Sequence, residues 1–230
     1  MPSSPLTLDA WYAARLSQPA SPVAAAAGLS PVCPVFDPNR PFRVDVPEGI
    51  GAAEAARWRA AGLLRRLVLD VHVATDVEDR PGVRAGALAC LLPERLADAV
   101  LAGRSAYWVH VGGTAPERVD VVLPPGRHSA DAPGVRVRQA ELAEDDVDVV
   151  EGTPVTSPVR TAVDLARCPH APAAVEELHL LAAATGCTAA DALRRLEPMT
   201  GRRGVSAARR LITTWLGGGP QSSPRRPTTR

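Results

Sequence analysis

The chain has 230 residues, of which 46% are hydrophobic and 22% charged, and its net charge is +1 at neutral pH. This length can bury a substantial core in one or two domains, and the composition excludes an acidic disordered chain and a disulfide scaffold. The near-zero net charge argues at first against a generally basic nucleic-acid binder.

The average charge hides a segregation along the chain. All 26 cations are arginine; residues 1–68 hold seven of them against five acids, which gives a net charge of +2. Residues 69–190 have a net charge of −8, and residues 191–230 have a net charge of +7. An acidic body is therefore followed by a basic C-terminal end. The base composition of a GC-rich genome explains the absence of lysine, but it explains the placement of the arginines less well.

The cysteines and the apolar residues indicate the cellular compartment. The four cysteines, Cys33, Cys90, Cys168 and Cys187, form no CxxC pair, and the N-terminus lacks a basic segment followed by an apolar run. No stretch of about 18 apolar residues occurs, so the sequence predicts no membrane span. These features favour a cytoplasmic protein with reduced cysteines.

Few secondary-structure elements are predicted in the first 73 residues. Residues 1–40 are rich in Pro, Ser and Ala and predict a loose extension, with one short candidate helix at Leu8–Gln18. Ala52–Ala61 has the composition of a helix, and Gly62 stands where a glycine would end it. Leu67–Val73 is rich in β-branched residues and predicts a strand.

The centre of the chain is predicted to be mixed. Helices are predicted over Val83–Leu92 and from Pro93 to about Leu101. Strands follow at Val119–Leu123, Val135–Gln139 and Val147–Val150, and a turn is predicted at Gly152–Pro154.

The last third is predicted to be helical. Ser157 is the N-cap and Pro158 the first residue of a helix that runs to Arg167. Thr188 and Asp191 form a capping box. Further helices are predicted at Ala173–Thr185, Thr188–Leu196 and Val205–Leu216. Residues 217–230 have the composition of a disordered basic tail.

Motifs for catalysis and metal binding are missing. The sequence lacks GxGxxG, P-loop, HExxH and GxSxG motifs, so we predict no enzyme activity and no cofactor. Cys168, His170, His179 and Cys187 contain zinc-binding atoms, but their spacing does not match fingers or ribbons. The acidic run Asp145–Asp148 is more typical of a solvated loop than of a cation site. We therefore predict no metal site.

A family resemblance becomes specific in the helix after Ser157. Arg160 and Asp164 are four residues apart on that helix, so they share a face and can form an ion pair. Residues 152–166, GTPVTSPVRTAVDLA, resemble the signature of the AbiEi-like antitoxin family of actinobacteria. The signature residues of this helix are Thr156, Ser157, Arg160, Thr161 and Asp164.

The resemblance extends over about residues 41–216. Residues 41–43 and 61–73 resemble the family's helix-then-wing segment, residues 103–108 resemble its central helices, and residues 201–216 resemble its C-terminal end. It implies an α/β fold in which a winged-helix-like module, residues 41–76, precedes a mixed α/β antitoxin domain, residues 77–216, with a helical C-terminal end. Arg43–Gly49 has an extended pattern where a helix–turn–helix needs its first helices, so we expect a degenerate module.

The resemblance implies an antitoxin or transcriptional regulator that acts by binding. We expect DNA contacts from the arginines on the predicted helix and before the strand, which are Arg57, Arg59, Arg65 and Arg66. A secondary basic surface is formed by Arg202, Arg203, Arg209 and Arg210. The expected partners are operator DNA and a nucleotidyltransferase-like toxin, and the acidic middle of the chain suits a basic protein.

Two alternatives stay open at this point. The first is a protein-interaction module whose DNA binding has decayed, because Arg57 and Arg59 point to different sides of a helix and can both be solvated. The second is an enzyme, either a remnant of nuclease-fused relatives or a protein with an unrecognised hydrolytic site. Many relatives continue into an endonuclease-like domain where this chain stops, so the resemblance implies no nuclease activity.

Overall fold

The computed structural model describes residues 41–43, 52–127, 132–168 and 174–217. The chain divides into two compact units, Met1–Asp79 and Arg80–Arg230, called here the first and the second unit. The predicted N-terminal extension, its candidate helix Leu8–Gln18 and the predicted basic tail beyond Gly217 lie outside the described residues.

The first unit contains one described helix and a three-stranded antiparallel sheet. Helix α1 is Ala52–Ala60, and the strands are β1 Phe42–Arg43, β2 Leu64–Val68 and β3 Val71–Ala74, in the order β1-β3-β2. Gly62 has φ +72° just after the helix, as expected of a glycine that ends it. Buried apolar side chains join the helix to the hairpin, among them Ala55, Trp58, Leu64, Val71 and Val73.

The single strand predicted over Leu67–Val73 is wrong. The chain turns at Leu69 and Asp70 and folds back as the hairpin of β2 and β3, with Leu69 at φ +47°. No glycine or asparagine marks this turn, and a positive φ is uncommon for a residue such as leucine.

The second unit is built on a five-stranded mixed sheet. Its strands are β4 Val100–Leu101, β5 Val119–Leu123, β6 Val135–Gln139, β7 Val147–Val150 and β8 Thr153–Thr156, in the order β6-β5-β4-β8-β7. Strand β4 pairs antiparallel with β5 and parallel with β8. The outer pairs are parallel β5–β6 and antiparallel β7–β8. The three predicted strands of this region are confirmed.

Strands β4 and β8 correct two predictions. The helix predicted from Pro93 to about Leu101 is instead a short 3₁₀ turn, Glu94–Leu96, followed by β4. The turn predicted at Gly152–Pro154 lies one residue earlier, and Thr153 and Pro154 belong to β8.

Six helices of the second unit are described. They are α2 Pro81–Ala89, α3 Gly103–Val111, α4 Pro158–Arg167, α5 Ala174–Thr185, α6 Ala189–Leu196 and α7 Val205–Gly217. Helices α2 and α3 contact the sheet, and α4 to α7 pack on one another beside α3. Their shared core includes Leu178, Leu181, Leu196, Ile212 and Trp215. Within the described ranges, no helix has the length and apolar character needed to cross a membrane.

The predicted capping residues at the starts of two of these helices are confirmed. The Ser157 hydroxyl accepts a hydrogen bond from the N–H of Arg160 at the start of α4, and Pro158 is its first residue. Thr188 and Asp191 form the predicted capping box of α6.

Candidate functional site

The five signature residues lie in the interior of the second unit. Thr156 is the last residue of β8, Ser157 caps α4, and Arg160, Thr161 and Asp164 lie on α4; all five side chains are buried. They therefore organise the inside of the unit and offer little surface to DNA or to a partner.

Hydrogen bonds fix the corner between β8 and α4. The hydroxyl oxygens of Thr156 and Thr161 are 2.8 Å apart, and the Thr161 hydroxyl also lies 3.0 Å from the Thr156 carbonyl oxygen. The N–H of Ser157 donates to the carbonyl oxygen of Asp146 at 2.8 Å. The corner is thus tied to itself and to the residue before β7.

Arg160 is the centre of a buried ion-pair cluster, defined here as Asp146, Arg160, Asp164 and Arg195. Its Nε donates to Asp164 at 3.1 Å, as the four-residue spacing predicted, and its Nη1 donates to Asp146 at 2.8 Å. Arg195 donates from Nε to the other oxygen of Asp146 at 2.5 Å. Arg160 and Asp146 each have only 1% of their side chain exposed. Two carboxylates and two guanidinium groups leave the cluster without net charge.

The pKa values of the two carboxylates of the cluster are shifted in opposite directions. Burial favours the neutral form of Asp146, but hydrogen bonds from Arg195 and the Ala143 N–H and the charge of Arg160 lower its pKa overall. Burial raises the pKa of Asp164, and the neighbouring Arg160 opposes that rise only in part. The difference follows from the number of donors, because Asp146 receives two guanidinium groups and a main-chain N–H.

The cluster ties three parts of the chain together. Asp146 ends the loop after β6, Arg160 lies on α4, and Arg195 lies on α6, while Arg160 also donates to the main-chain carbonyl of Glu141 at 3.2 Å. The carboxylates are already bound by guanidinium groups, so the arrangement suits a structural role better than proton transfer.

The described residues contain no group of three or more His, Cys, Asp or Glu side chains that could hold a metal ion. Of the residues weighed as zinc ligands, Cys168 is exposed, Cys187 is buried, and His170 lies outside the described part of the chain. Within the acidic run Asp145–Asp148, Asp146 is bound by arginines instead of facing a cation.

Two further polar contacts in the second unit, one partly buried and one buried, have no local sequence pattern that predicts their partners. Arg136 on β6 donates to both oxygens of Asp120 on β5 at 2.7 Å, and the two residues face each other in the β5–β6 register. Arg84 on α2 is buried and donates to the carbonyl oxygen of Val109 near the end of α3. The alternating Val-Arg pattern of β6 was the one signal for the first contact, but it could not reveal which acid lay opposite.

His110 connects α3 to the same strand-to-helix corner. Its Nε2 lies 2.8 Å from the carbonyl oxygen of Thr156, to which it donates as an N–H. Burial lowers the pKa of His110, although the Thr156 carbonyl and the charge of Asp148 oppose the decrease.

The lowered pKa of His110 predicts a pH dependence of stability. The unfolded chain binds a proton at His110 more readily than the folded chain, so folding loses stability as the pH falls through about 6.5 toward the lower folded pKa. Because burial also lowers the pKa of His72, we expect the wild type to lose stability between about pH 7 and pH 5. The His110→Gln variant should lose less stability than the wild type over the same pH range. Urea denaturation across this range measures the two slopes, and equal slopes would contradict the assignment.

The predicted DNA-binding arginines lie on α1 and β2. Arg57, Arg59 and Arg66 are exposed, whereas Arg65 is half-buried and donates to the main-chain carbonyl of Val77 at 2.9 Å. Arg65 and Arg66 are neighbours in a strand, so their side chains point to opposite faces.

Arg59 and Arg66 are brought together around His72. Burial is the main cause of the lowered pKa of His72, and the charges of Arg59 and Arg66 lower that pKa further. Arg66 also faces His72 across the β2–β3 ladder. One arginine of the helix and one of the hairpin therefore form a shared basic patch, which we define as Arg59 and Arg66.

The secondary basic surface lies after α6 and on α7. Arg202, Arg203, Arg209 and Arg210 are all exposed. Arg202 forms an ion pair with Glu141 at 2.7 Å, and the main-chain carbonyl of Arg203 accepts from Arg167. The charge of Arg202 is thus partly neutralised by Glu141.

Comparisons with known proteins match most of the second unit. Residues 97–214 match a family model described as the AbiEi antitoxin C-terminal domain. The match runs from just before β4 into α7 and includes the whole buried ion-pair cluster. The comparison with curated proteins gave no significant match. Among solved structures, the chain is similar to the crystal structure of the RV2827C protein from Mycobacterium tuberculosis, with 20% identity, a TM-score of 0.41, and coverage of 76% of this chain and 68% of that chain.

Proposed function

Because this chain belongs to the AbiEi antitoxin family, we propose that it is an antitoxin or regulator that acts by binding operator DNA, a partner toxin or both, without catalysis. In this proposal residues 41–76 form a winged-helix-like module that contacts DNA, and residues 77–216 form the antitoxin domain. A cytoplasmic location agrees with both partners and is testable by fractionation.

The arrangement of the first unit supports DNA binding. Helix α1 precedes the hairpin of β2 and β3, and β3 also pairs with the earlier strand β1. This is the order of a recognition helix and a wing, in which the helix enters the major groove and the hairpin contacts phosphates.

The observation that carries the proposal is the basic patch of Arg59 and Arg66 around His72. A guanidinium group from the helix and another from the hairpin can meet the same stretch of phosphate backbone. Arg57 and Arg65 point to other sides than Arg59 and Arg66, and Arg65 is bound to the Val77 carbonyl, so we assign them a smaller part of the DNA contact.

DNA binding should depend on the basic patch and on salt. Fluorescence anisotropy with promoter DNA from the protein's own operon should show tight binding by the wild type, with affinity falling as salt rises. Arg59→Ala/Arg66→Ala should weaken binding strongly and reduce the slope of log affinity against log salt by about 2, because each lost phosphate contact removes about 1. Arg57→Ala/Arg65→Ala should have a smaller effect.

The matched control is Arg95→Ala, which removes an exposed arginine of the second unit. It should bind DNA as the wild type does. If Arg95→Ala weakens binding as much as the double variant, the assignment to the first unit is wrong.

The alternative of a protein-interaction module without DNA binding predicts a different result for the wild type. It expects no binding of the promoter DNA even at low salt, together with a stable complex with a co-expressed toxin. The acidic segment between β6 and β8, which includes β7, supports the toxin-binding half of the proposal, since it suits a basic protein surface.

The non-catalytic part of the proposal is tested with the purified protein. It should leave DNA and RNA intact when a divalent cation is added. Metal-dependent cleavage that is lost in Asp148→Asn would instead establish an enzyme.

A further inference from the structure

Strand β7 forms one edge of the five-stranded sheet. It pairs with β8 on its inner side, and β6 occupies the opposite edge. Val149, in its centre, has 71% of its surface exposed, and Asp148 is exposed as well. A strand edge of this kind presents main-chain groups to which another strand can bind.

The hydrogen-bond pattern shows which main-chain groups face outward. The Ser157 N–H donates to the Asp146 carbonyl at 2.8 Å, and the β7–β8 register continues from this pair to Asp148↔Val155 and Val149↔Pro154. Hydrogen-bonded pairs alternate along an antiparallel ladder, so Asp148 bonds to β8, whereas the N–H and C=O of Val149 point away from it. Pro154 fits this pattern because proline has no N–H to offer to β7.

Exposed acids surround this outward-facing position. Glu144 and Asp145 precede the strand, Asp148 lies within it, and Glu151 follows it; all four are exposed. Glu151 is paired with Arg80, and Asp145 lies near Arg195. Glu144 and Asp148 form no ion pair with any residue in the described ranges. The Val147 N–H is already bonded to the Glu144 carbonyl. The edge therefore combines one exposed apolar side chain, the outward main-chain groups of Val149 and a negative field.

We propose that β7 binds an extended basic segment of a partner protein, which adds to the sheet as a sixth strand. Main-chain bonds to Val149 supply the pairing, and Arg or Lys side chains of the partner meet Glu144 and Asp148. The inference concerns the partner-binding half of the proposed function and rests on it. A second copy of β7 is disfavoured because it would bring Asp148 and its acidic neighbours against like charges, and the same acids repel nucleic acid.

The test uses the full chain and a capped Arg-Val-Arg-Val-Arg peptide. Titration of the ¹⁵N-labelled protein should shift the amide signals of residues 147–150, and the peptide Glu-Val-Glu-Val-Glu should leave them unchanged. Val149→Pro should weaken binding about tenfold, since it removes the outward N–H and leaves the ladder with β8 intact. Val149→Ala keeps that N–H and is the matched control, with binding close to that of the wild type.

A second measurement avoids any change to the protein. N-methylation of alternate peptide bonds in the basic peptide removes its main-chain donors but keeps its charge, so its binding should also fall about tenfold. Equal binding of the methylated and unmethylated peptides would show attraction by charge alone and overturn the proposal. So would the absence of shifts at residues 147–150. The Arg59→Ala/Arg66→Ala protein should bind the peptide normally, which separates this result from the outcome for DNA.

Discussion

Arg160→Met is expected to lower the free energy of unfolding by about 3–5 kcal/mol, because it leaves buried carboxylates without their central cation. Asp164 loses the guanidinium group 3.1 Å away and keeps only the more distant Arg167, at 3.9 Å. Asp146 keeps Arg195 and the Ala143 N–H. Methionine fills much of the vacated volume, so the loss reports the uncompensated charge more than a cavity. Urea denaturation monitored by circular dichroism measures the change.

The matched control for this prediction is Arg194→Met. Arg194 also pairs with an aspartate on its own helix, Asp191, but its side chain is 69% exposed. Exposed pairs contribute little, so the change should stay within about 0.5 kcal/mol. Arg160→Met/Asp164→Leu should recover part of the loss by removing the orphaned charge. A loss no larger than that of Arg194→Met would show that the buried cluster is dispensable.

Gly204→Ala is expected to cost about 2–4 kcal/mol of unfolding free energy. Gly204 precedes α7 at φ +83°, and a Cβ placed there would lie 2.8 Å from the main-chain oxygen of Arg167 at the end of α4. Backbone atoms cannot move aside as a flexible side chain can, so α4 and α7 must separate. Thermal and urea denaturation measure the loss.

Gly201→Ala isolates the steric part of this cost. Gly201 has nearly the same φ, +85°, but a Cβ there would meet nothing within 4 Å. It should cost about 1 kcal/mol through the backbone conformation alone. Equal losses for the two variants would contradict a close approach of α4 and α7 at Gly204.

The elements that sequence reasoning placed correctly carry local signals. Ser157 and Pro158 fix the start of α4, and Thr188 and Asp191 fix the start of α6, because each signal is a hydrogen-bonding motif within a few residues. The alternating strand β6 is of the same kind. The mixed α/β fold class, which the family resemblance implied, is confirmed.

The errors fall where tertiary pairing decides the structure. Strand β4 has two residues, too few for any periodicity, and it exists because β5 and β8 pair on either side of it. The turn at Leu69 and Asp70 contains no glycine or asparagine, so the sequence pattern predicts one strand where a hairpin forms.

The candidate site was predictable only within one helix. The spacing of Arg160 and Asp164 predicted their ion pair, which forms at 3.1 Å. Asp146 lies 14 residues before Arg160, and Arg195 lies 49 residues after Asp146, so no local pattern joins them to the cluster. Arginine is mostly exposed in folded proteins, so its residue type gives no reason to expect the burial of Arg160. The roles of the arginines in DNA binding and the winged-helix module stay predictions.

The position of the two-residue strand β4 determines when the five-stranded sheet can form during synthesis of the protein. It holds the β5–β6 half of the sheet to the β7–β8 half, and its partner Val155 comes much later in the chain than Leu101. A nascent chain emerging from the ribosome cannot close this sheet until β8 has been translated, even though β5 and β6 are already available to pair. During that interval the edge of β4 that later pairs with β8 presents unpaired main-chain groups, so the growing polypeptide is exposed to aggregation and to capture by chaperones.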